Sequence, residues 1–186
     1  MATSGILFLA AALASDPAVA ATGDVGLLAI AGEGGGAGAR DDSIALETAR
    51  VLTGIIEFTR WPGAAGPLTL CVAGTAQHAA RLDGLRLADG RSVQRRQVAP
   101  LPIALGGCNA VYIGQVDPAT TRTLTAAVRG RAVLTIAEAD PACRSQAMFC
   151  MVHEPRTISF RMNIDAIARS GLRVDPRVLR LAEGGL

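Results

Sequence analysis

The chain has 186 residues, which is enough for one domain with a substantial core and too few for two. Half of the residues are apolar but only 3% are aromatic, so valine, isoleucine, leucine and alanine must build that core. The formal net charge of +2 gives no strong electrostatic footprint, and all 18 basic residues are arginine. Because this usage matches the general composition of an Ala- and Gly-rich chain, no single arginine is interpreted as functional.

The N-terminus has the pattern of an export signal. A run of about ten apolar residues precedes a small-x-small tripeptide at 18–20, which is typical of a signal-peptidase site. We therefore expect residues 1–20 to be a signal peptide, 21–40 a flexible Gly/Ala-rich leader and 41–183 a single domain. The alternative is a buried N-terminal helix, which is favoured by the absence of Lys and Arg before the apolar run.

The first element of the predicted domain is an amphipathic helix. Asp41, Asp42 and Ser43 are suited to its first turn, apolar residues then recur near helical spacing, and Pro62 ends it. We expect Trp61, directly before this proline, to be a core residue, because the chain has few other large side chains.

Strand and helix signals alternate through the centre of the chain. The predicted elements are a strand at 67–74, a helix at 75–82, an edge strand at 91–99, a strand at 108–114, a helix at 117–130 and a strand at 131–138. After Cys143 the pattern indicates a hairpin of strands 147–153 and 157–163, then a short helix to Gly171 and another from Asp175. The sequence therefore predicts an α/β fold: a mostly parallel sheet of βα units flanked by helices, with a C-terminal β-hairpin and short terminal helices.

The chain contains four cysteines, Cys71, Cys108, Cys143 and Cys150. An even count behind an export signal favours disulfides over zinc, and there is no CxxC motif. Neighbouring strands could bring Cys71 within disulfide reach of Cys108, but four cysteines allow three pairings and the sequence alone does not choose among them. The two histidines, His78 and His153, are isolated in the sequence, so no metal site is expected.

Common enzyme and nucleotide-binding motifs are missing from the sequence. There is no GxSxG, HExxH or paired-carboxylate motif, and no cofactor is expected. One glycine in CVAGTA (71–76) is a weak anion-binding signal, for which a tight turn between strand and helix is the better interpretation. The arginines between 81 and 96 alternate with Asp83 and Asp89 and lack an aromatic platform, which favours a solvated face over nucleic-acid binding.

Five sequence blocks resemble the YfiR family of periplasmic regulators (YfiR/HmsC-like). They are IIEFTRWP at 55–62, PLTLCVAG at 67–74, CNAVYIG at 108–114, VLTIAE at 133–138 and ISFRMNIDAIARSGLRVDPRVLRLA at 158–182. Their order and spacing cover nearly all of residues 44–182, which makes the match specific. The resemblance implies two disulfides, Cys71 with Cys108 and Cys143 with Cys150.

The resemblance also implies a function. The implied protein is periplasmic and homodimeric, has redox-sensitive disulfides and is not an enzyme. It represses a YfiN-like membrane diguanylate cyclase by binding the periplasmic sensory domain of that cyclase. The implied partner-binding residues are Phe160, Arg161, Asn163, Ile164, Ile167 and Leu172. The family usually has an acidic residue where this chain has Arg161. If this position contacts the partner, the partner is expected to differ from that of YfiR.

Two other classes of function stay open at this point. The first is a periplasmic small-ligand sensor that acts with a histidine kinase and uses the cleft at the carboxyl ends of the parallel strands. The second is a thiol oxidoreductase, which would require reactive free thiols in the native protein.

Overall fold

A computed structural model describes residues 35–63, 65–100, 105–154 and 157–182. All of them belong to one compact unit. The signal peptide predicted at 1–20 and most of the leader predicted at 21–40 lie outside the described residues.

The first helix, α1, spans Gly35–Glu57 and begins earlier than the sequence predicts. Asp42, predicted to lie in the first turn, instead forms an ion pair at 2.7 Å with Arg81. The apolar stripe of α1 packs against the sheet through residues that are almost completely buried, Ala45, Ala49, Leu52, Ile55 and Ile56. Helical spacing of apolar residues therefore identified the face of this helix correctly, although not its start.

Seven strands form the central sheet. They are β2 (Leu68–Ala73), β3 (Leu85–Arg86), β4 (Ser92–Val98), β5 (Ala110–Ile113), β6 (Leu134–Ala137), β7 (Phe149–His153) and β8 (Ile158–Met162). Their spatial order is β3-β4-β2-β5-β6-β7-β8. The four inner pairs are parallel, and the outer pairs, β3 with β4 and β7 with β8, are antiparallel. The sheet is therefore mixed, and the prediction of a mostly parallel sheet holds for its centre.

The predicted βα units are matched only in part. The connection from β5 to β6 carries α2 (Pro118–Ala127), whose first N–H groups are capped by the Asp117 carboxylate. The helix predicted at 75–82 is wrong, because this segment consists of turns. The buried Glu138 carboxylate accepts hydrogen bonds from the N–H groups of Gln77 (3.1 Å) and His78 (2.7 Å). A side chain that is distant in the sequence thus accepts the hydrogen bonds of these backbone N–H groups, which are satisfied without a helix.

The C-terminal part contains the predicted hairpin and two short helical elements. β7 and β8 pair in antiparallel register from Phe149 with Met162 to His153 with Ile158, which confirms the hairpin. It is followed by α3 (Ile164–Ala168) and by a 3₁₀ helix at Pro176–Leu181. A separate two-stranded sheet of β1 (Thr59–Arg60) and β9 (Arg173–Val174) was not predicted.

The sheet separates two apolar layers. Alternate residues of each strand point to opposite faces, so Tyr112 and Phe149 pack on the α1 side while Val111 and Ile113 pack on the α2 side. Trp61 is 9% exposed and its indole nitrogen donates to a backbone carbonyl at 2.9 Å. The prediction that this tryptophan is a core residue is confirmed.

Gly114 is the position where the chain leaving β2 passes closest to the end of β5. A Cβ atom there would lie 2.5 Å from the Thr75 carbonyl oxygen. We expect Gly114→Ala to lower the free energy of unfolding by about 3 kcal/mol, because the new methyl group would meet backbone that cannot rotate away. Urea unfolding monitored by circular dichroism measures this change.

The matched control is Gly106→Ala. Apart from its two chain neighbours, no atom of the described residues lies within 4 Å of a Cβ placed at Gly106. We expect this variant to differ from wild type by less than about 0.5 kcal/mol. Equal stability of the Gly114 and Gly106 variants would contradict the close approach at the end of β5.

Candidate functional site

Both disulfides implied by the family resemblance are present in the structure. The Cα atoms of Cys71 and Cys108 are 5.8 Å apart, and those of Cys143 and Cys150 are 5.4 Å apart. The first disulfide joins β2 to the chain entering β5, and the second closes the loop between β6 and β7. No cysteine is free in the described part of the chain.

Arg96 lies over the Cys71–Cys108 disulfide. It is opposite Cys71 in the parallel register of β4 with β2. Its guanidinium donates to the Sγ atoms of Cys71 (3.3 Å) and Cys108 (3.2 Å) and to the carbonyl oxygen of Gly106 (2.6 Å). A cation at this distance stabilises a thiolate more than a neutral disulfide, so it favours reduction of this bond.

We expect Arg96→Gln to make the Cys71–Cys108 disulfide harder to reduce. Its reduction potential should fall by about 30 mV, a tenfold change in the equilibrium constant, because the thiolates lose their cation. Titration in glutathione buffers followed by alkylation and mass spectrometry measures the shift. Arg95→Gln is the control, since Arg95 is adjacent on β4, points to the other face and pairs with Asp83 at 3.0 Å. Equal shifts in the two variants would rule out a specific effect of Arg96.

The Cys143–Cys150 loop is organised around Asp140. The Asp140 carboxylate accepts hydrogen bonds from the N–H groups of Arg144 (3.0 Å) and Ser145 (2.7 Å). Partial burial alone would raise the pKa of Asp140, but the hydrogen bonds from Ser145, Arg144 and Cys143 together outweigh it and hold the pKa below its usual value. Asp140 is therefore a charged acceptor that closes the loop.

Two residues of this loop adopt a left-handed backbone conformation. Cys143 has φ of 55° and Gln146 has φ of 64°, values that are uncommon for residues other than glycine. The loop is held in place by Thr125, whose hydroxyl donates to the Ser145 carbonyl oxygen at 2.7 Å. Such backbone conformations persist only where surrounding contacts determine them, so the disulfide and these hydrogen bonds act together.

Met148 connects the loop to the start of α3. Its N–H donates to the Thr135 hydroxyl at 2.9 Å, and its carbonyl oxygen accepts from the Asn163 N–H at 2.8 Å. The Asn163 side chain in turn caps α3 by accepting from the Ala166 N–H at 3.0 Å. Met148 thus links α3 through consecutive hydrogen bonds both to the disulfide loop, in which it lies, and to β6.

Two of the six predicted partner-binding residues are buried. Phe160 is 7% exposed and packs edge to face on Phe149, with ring centroids 5.3 Å apart. Leu172 is 6% exposed and belongs to the same apolar layer. Side chains buried to this extent cannot contact a partner directly. We therefore reassign Phe160 and Leu172 as core residues that support the hairpin and α3.

The other four predicted residues lie at or near the surface. Arg161 is exposed on β8, and Ile164 on α3 is 70% exposed, which is unusual for so large an apolar side chain. Ile167 is half-buried against the core, and Asn163 is occupied as the helix cap. Arg161 and Ile164 are therefore the two predicted residues available for direct contact.

A cleft of about 260 Å³ lies between α2 and α3. Its polar wall includes Arg129, which donates to the Gln146 side chain, and Arg169, which pairs with Asp165 at 2.7 Å. Thr135 and the chain before β7 also line it, so the cleft lies at the amino ends of the parallel strands. This edge is opposite to the one at which ligands usually bind in open α/β sheets.

At the carboxyl edge of the sheet the structure brings the two histidines together. The rings of His78 and His153 are 4.2 Å apart, and Thr48 Oγ1 lies 3.3 Å from His153 Nε2. His78 Nε2 is 3.9 Å from the buried carboxylate of Glu138. The description of the histidines as isolated holds only in the sequence. No group of three side chains suited to hold a metal ion is found among the described residues.

Burial controls the ionisation of this histidine pair. Burial lowers the pKa of His153 to about 4, and the nearby His78 lowers it further. Burial also lowers the pKa of His78, and this effect outweighs the negative charge of Asp41, which alone would raise that pKa. Burial raises the pKa of Glu138, and burial together with the charge of Glu138 raises the pKa of Tyr112. The Tyr112 hydroxyl has no hydrogen-bond partner among the described residues. Both imidazoles are thus held neutral near neutral pH.

These pKa shifts predict a pH dependence of stability. Between pH 6.5 and about 4 the unfolded chain binds a proton at His153 that the folded chain does not, so stability falls as the pH falls through this window. Glu138 has the opposite effect on stability. Because its pKa is raised in the folded state, the folded chain binds a proton above pH 4.5 that the unfolded chain does not, so this group increases stability as the pH falls. We expect His153→Gln to lose less stability than wild type between about pH 7.5 and about pH 5, measured by urea unfolding.

The control for this measurement is Glu154→Gln, at the exposed residue next to His153. It should follow the wild-type pH dependence. If His153→Gln does so as well, the histidine pair does not contribute to the acid sensitivity of the fold.

The geometry defines a mixed α/β domain with two disulfides, in which a hairpin at the edge of the sheet and a short surface helix follow the second disulfide in the chain. Among the described residues, no helix is long and apolar enough to cross a membrane. Comparison with known protein families matches residues 47–183 to the YfiR/HmsC-like family, and the chain belongs to this family. It is a family of periplasmic regulators of cyclic-di-GMP signalling and not a known enzyme family.

Proposed function

We propose that this protein is a periplasmic repressor that binds the periplasmic sensory domain of a membrane diguanylate cyclase. It performs no chemistry on a substrate and acts as a homodimer with redox-sensitive disulfides. Family membership supports this class of function. The observation that carries the proposal is the hydrogen-bonded path from the Cys143–Cys150 loop through Met148 and Asn163 to α3, since it tethers an exposed surface to a covalent bond.

The two disulfides contribute to the fold in different ways. In the chain-entropy model, the disulfide between Cys71 and Cys108, with a sequence separation of 37, stabilises by about 3.8 kcal/mol, and that between Cys143 and Cys150, with a separation of 7, by about 2.4 kcal/mol. However, each disulfide joins a cysteine that strand pairing holds on both sides, Cys71 or Cys150, to a cysteine outside the strands, Cys108 or Cys143. The two bonds therefore differ mainly in the length of chain that they close. We propose that loss of the shorter link acts mainly on the local geometry of the β6–β7 loop, and so on α3.

Ile164 is the contact that this geometry presents to the cyclase. Its side chain is 70% exposed, at the first position of α3 after the Asn163 cap. An apolar side chain held on a fixed element is a suitable anchor, because little conformational entropy is lost when a partner covers it. When the loop loosens, α3 loses its fixed position and the affinity for the cyclase falls.

The alternative function, a small-ligand sensor acting with a histidine kinase, has less support. It requires a crevice at the carboxyl ends of the parallel strands. That edge is occupied by the packed cluster of His78, His153 and Glu138. The 260 Å³ cleft lies at the opposite edge. The contacts therefore favour binding of a protein partner.

We expect the double variant Cys143→Ser/Cys150→Ser to keep most secondary structure but to bind the cyclase at least about tenfold more weakly, because α3 is no longer held in place. Cyclic-di-GMP in cells should rise accordingly. Calorimetry with the purified periplasmic domain of a diguanylate cyclase encoded beside this gene measures the affinity. Circular dichroism verifies that the variant is folded.

Two further variants separate contact from stability. Ile164→Glu should weaken binding to the cyclase and leave the free energy of unfolding unchanged. Leu179→Glu, at another exposed apolar residue (47% exposed), should change neither the affinity nor the free energy of unfolding. If the cysteine variant and Ile164→Glu both bind and repress like wild type, the contact surface lies elsewhere and the proposed role of α3 is wrong.

A further inference from the structure

Four exposed arginines surround the Cys143–Cys150 loop on the α2 side of the sheet. Arg122 and Arg144 line a recess of about 70 Å³ on one side of the loop, and Arg129 lines the 260 Å³ cleft on the other. Arg161 is opposite Cys150 in the β7–β8 register, so strand alternation places it on the same face. We call Arg122, Arg129, Arg144 and Arg161 the arginine surface.

The acidic groups near this surface are already committed elsewhere. The Asp140 carboxylate accepts backbone hydrogen bonds inside the loop, and the Asp117 carboxylate caps α2. Asp165 pairs with Arg169. Within the described residues, none of the four arginines forms an ion pair, whereas Arg50, Arg81, Arg91, Arg95 and Arg177 each do. The positive charge of the arginine surface is therefore available to a partner.

We propose that the arginine surface binds an acidic, extended segment of the partner protein. Carboxylates of this segment pair with the four guanidinium groups, which present planar donor forks suited to carboxylate. An apolar side chain of the segment covers Ile164, which is adjacent to the cleft-lining residues Asp165 and Ala166. Charge complementarity then selects the partner and increases its rate of association.

The shape of the surface favours a protein segment over a membrane or nucleic acid. Two recesses flank the loop, and their walls carry neutral hydrogen-bonding side chains such as Thr121 and Ser145. Each wall also contains one carboxylate that is already engaged, Asp140 by backbone N–H groups and Asp165 by Arg169. A flat layer of lipid headgroups cannot enter these recesses. Among the described residues, no aromatic side chain lines either recess, so bases would find no stacking platform.

This inference rests on the proposed function for its partner, but its chemistry can be tested without one. The probe is a fluorescein-labelled peptide of about twelve residues in which Glu alternates with Leu and Ser, measured by fluorescence anisotropy at low salt. Wild-type protein should bind it. R122E/R161E should bind it at least about tenfold more weakly and should instead bind the same peptide with Lys in place of Glu. R144A provides a milder variant if the double reversal does not fold.

The matched control is R86E/R180E, which changes the net charge equally at exposed arginines outside the arginine surface. Its affinity for the Glu peptide should change less than about twofold. An equal loss in this control would show an effect of net charge alone and overturn the proposal. So would tighter binding of wild type to phosphatidylglycerol vesicles or single-stranded DNA than to the Glu peptide.

A second measurement separates this proposal from the proposed function. If deletion of the gene leaves cellular cyclic-di-GMP unchanged, the proposed function fails whatever the peptide binds. If deletion raises cyclic-di-GMP but R122E/R161E represses as well as R86E/R180E, the proposed function stands and the arginine surface is not the contact.

Discussion

The connection from β6 to β7 must return from the carboxyl end of one parallel strand to the amino end of the next. A helix usually serves this purpose, since it packs on the sheet and fixes both ends of the crossover. Here the Asp140 carboxylate and the Cys143–Cys150 disulfide replace the helix, and they hold a loop with two residues in the left-handed region. The hairpin and α3 follow directly in the chain, and Met148 within the loop bonds both to β6 and to the start of α3.

Elements with a local signal were predictable from the sequence. Strand β8 of the hairpin has period-two alternation, and α2 begins with an Asp-Pro pair that caps and starts a helix. The error at 75–82 arose because Glu138, which bonds to the Gln77 N–H, is 61 residues away. β1 and β9 have two residues each, too few for any periodicity. Local rules fail where a distant side chain decides the backbone conformation.

The sequence indicated which stretch of the chain contains the candidate site, but not which of its side chains are exposed together on one surface. Phe160 and Arg161 are adjacent, and strand alternation alone would have separated the inward residue from the outward one. The histidine pair could also have been suspected, because His153 is the last residue of one predicted strand and His78 follows another, which places both at the carboxyl edge of the sheet. The clustering of four arginines could not, since it depends on the register that places Arg161 opposite Cys150.

The two disulfides have opposite electrostatic surroundings, and this difference assigns them different roles. Arg96 contacts both sulfurs of Cys71–Cys108 and favours the thiolates that reduction produces. At the other disulfide, the Asp140 carboxylate lies 3.9 Å from the Cys150 sulfur and opposes a thiolate there. These charges favour reduction of the bond between β2 and the chain entering β5 over reduction of the bond that closes the β6–β7 loop. At equilibrium, a reductant is therefore expected to open the sheet bond before it disturbs the surface proposed to contact the partner.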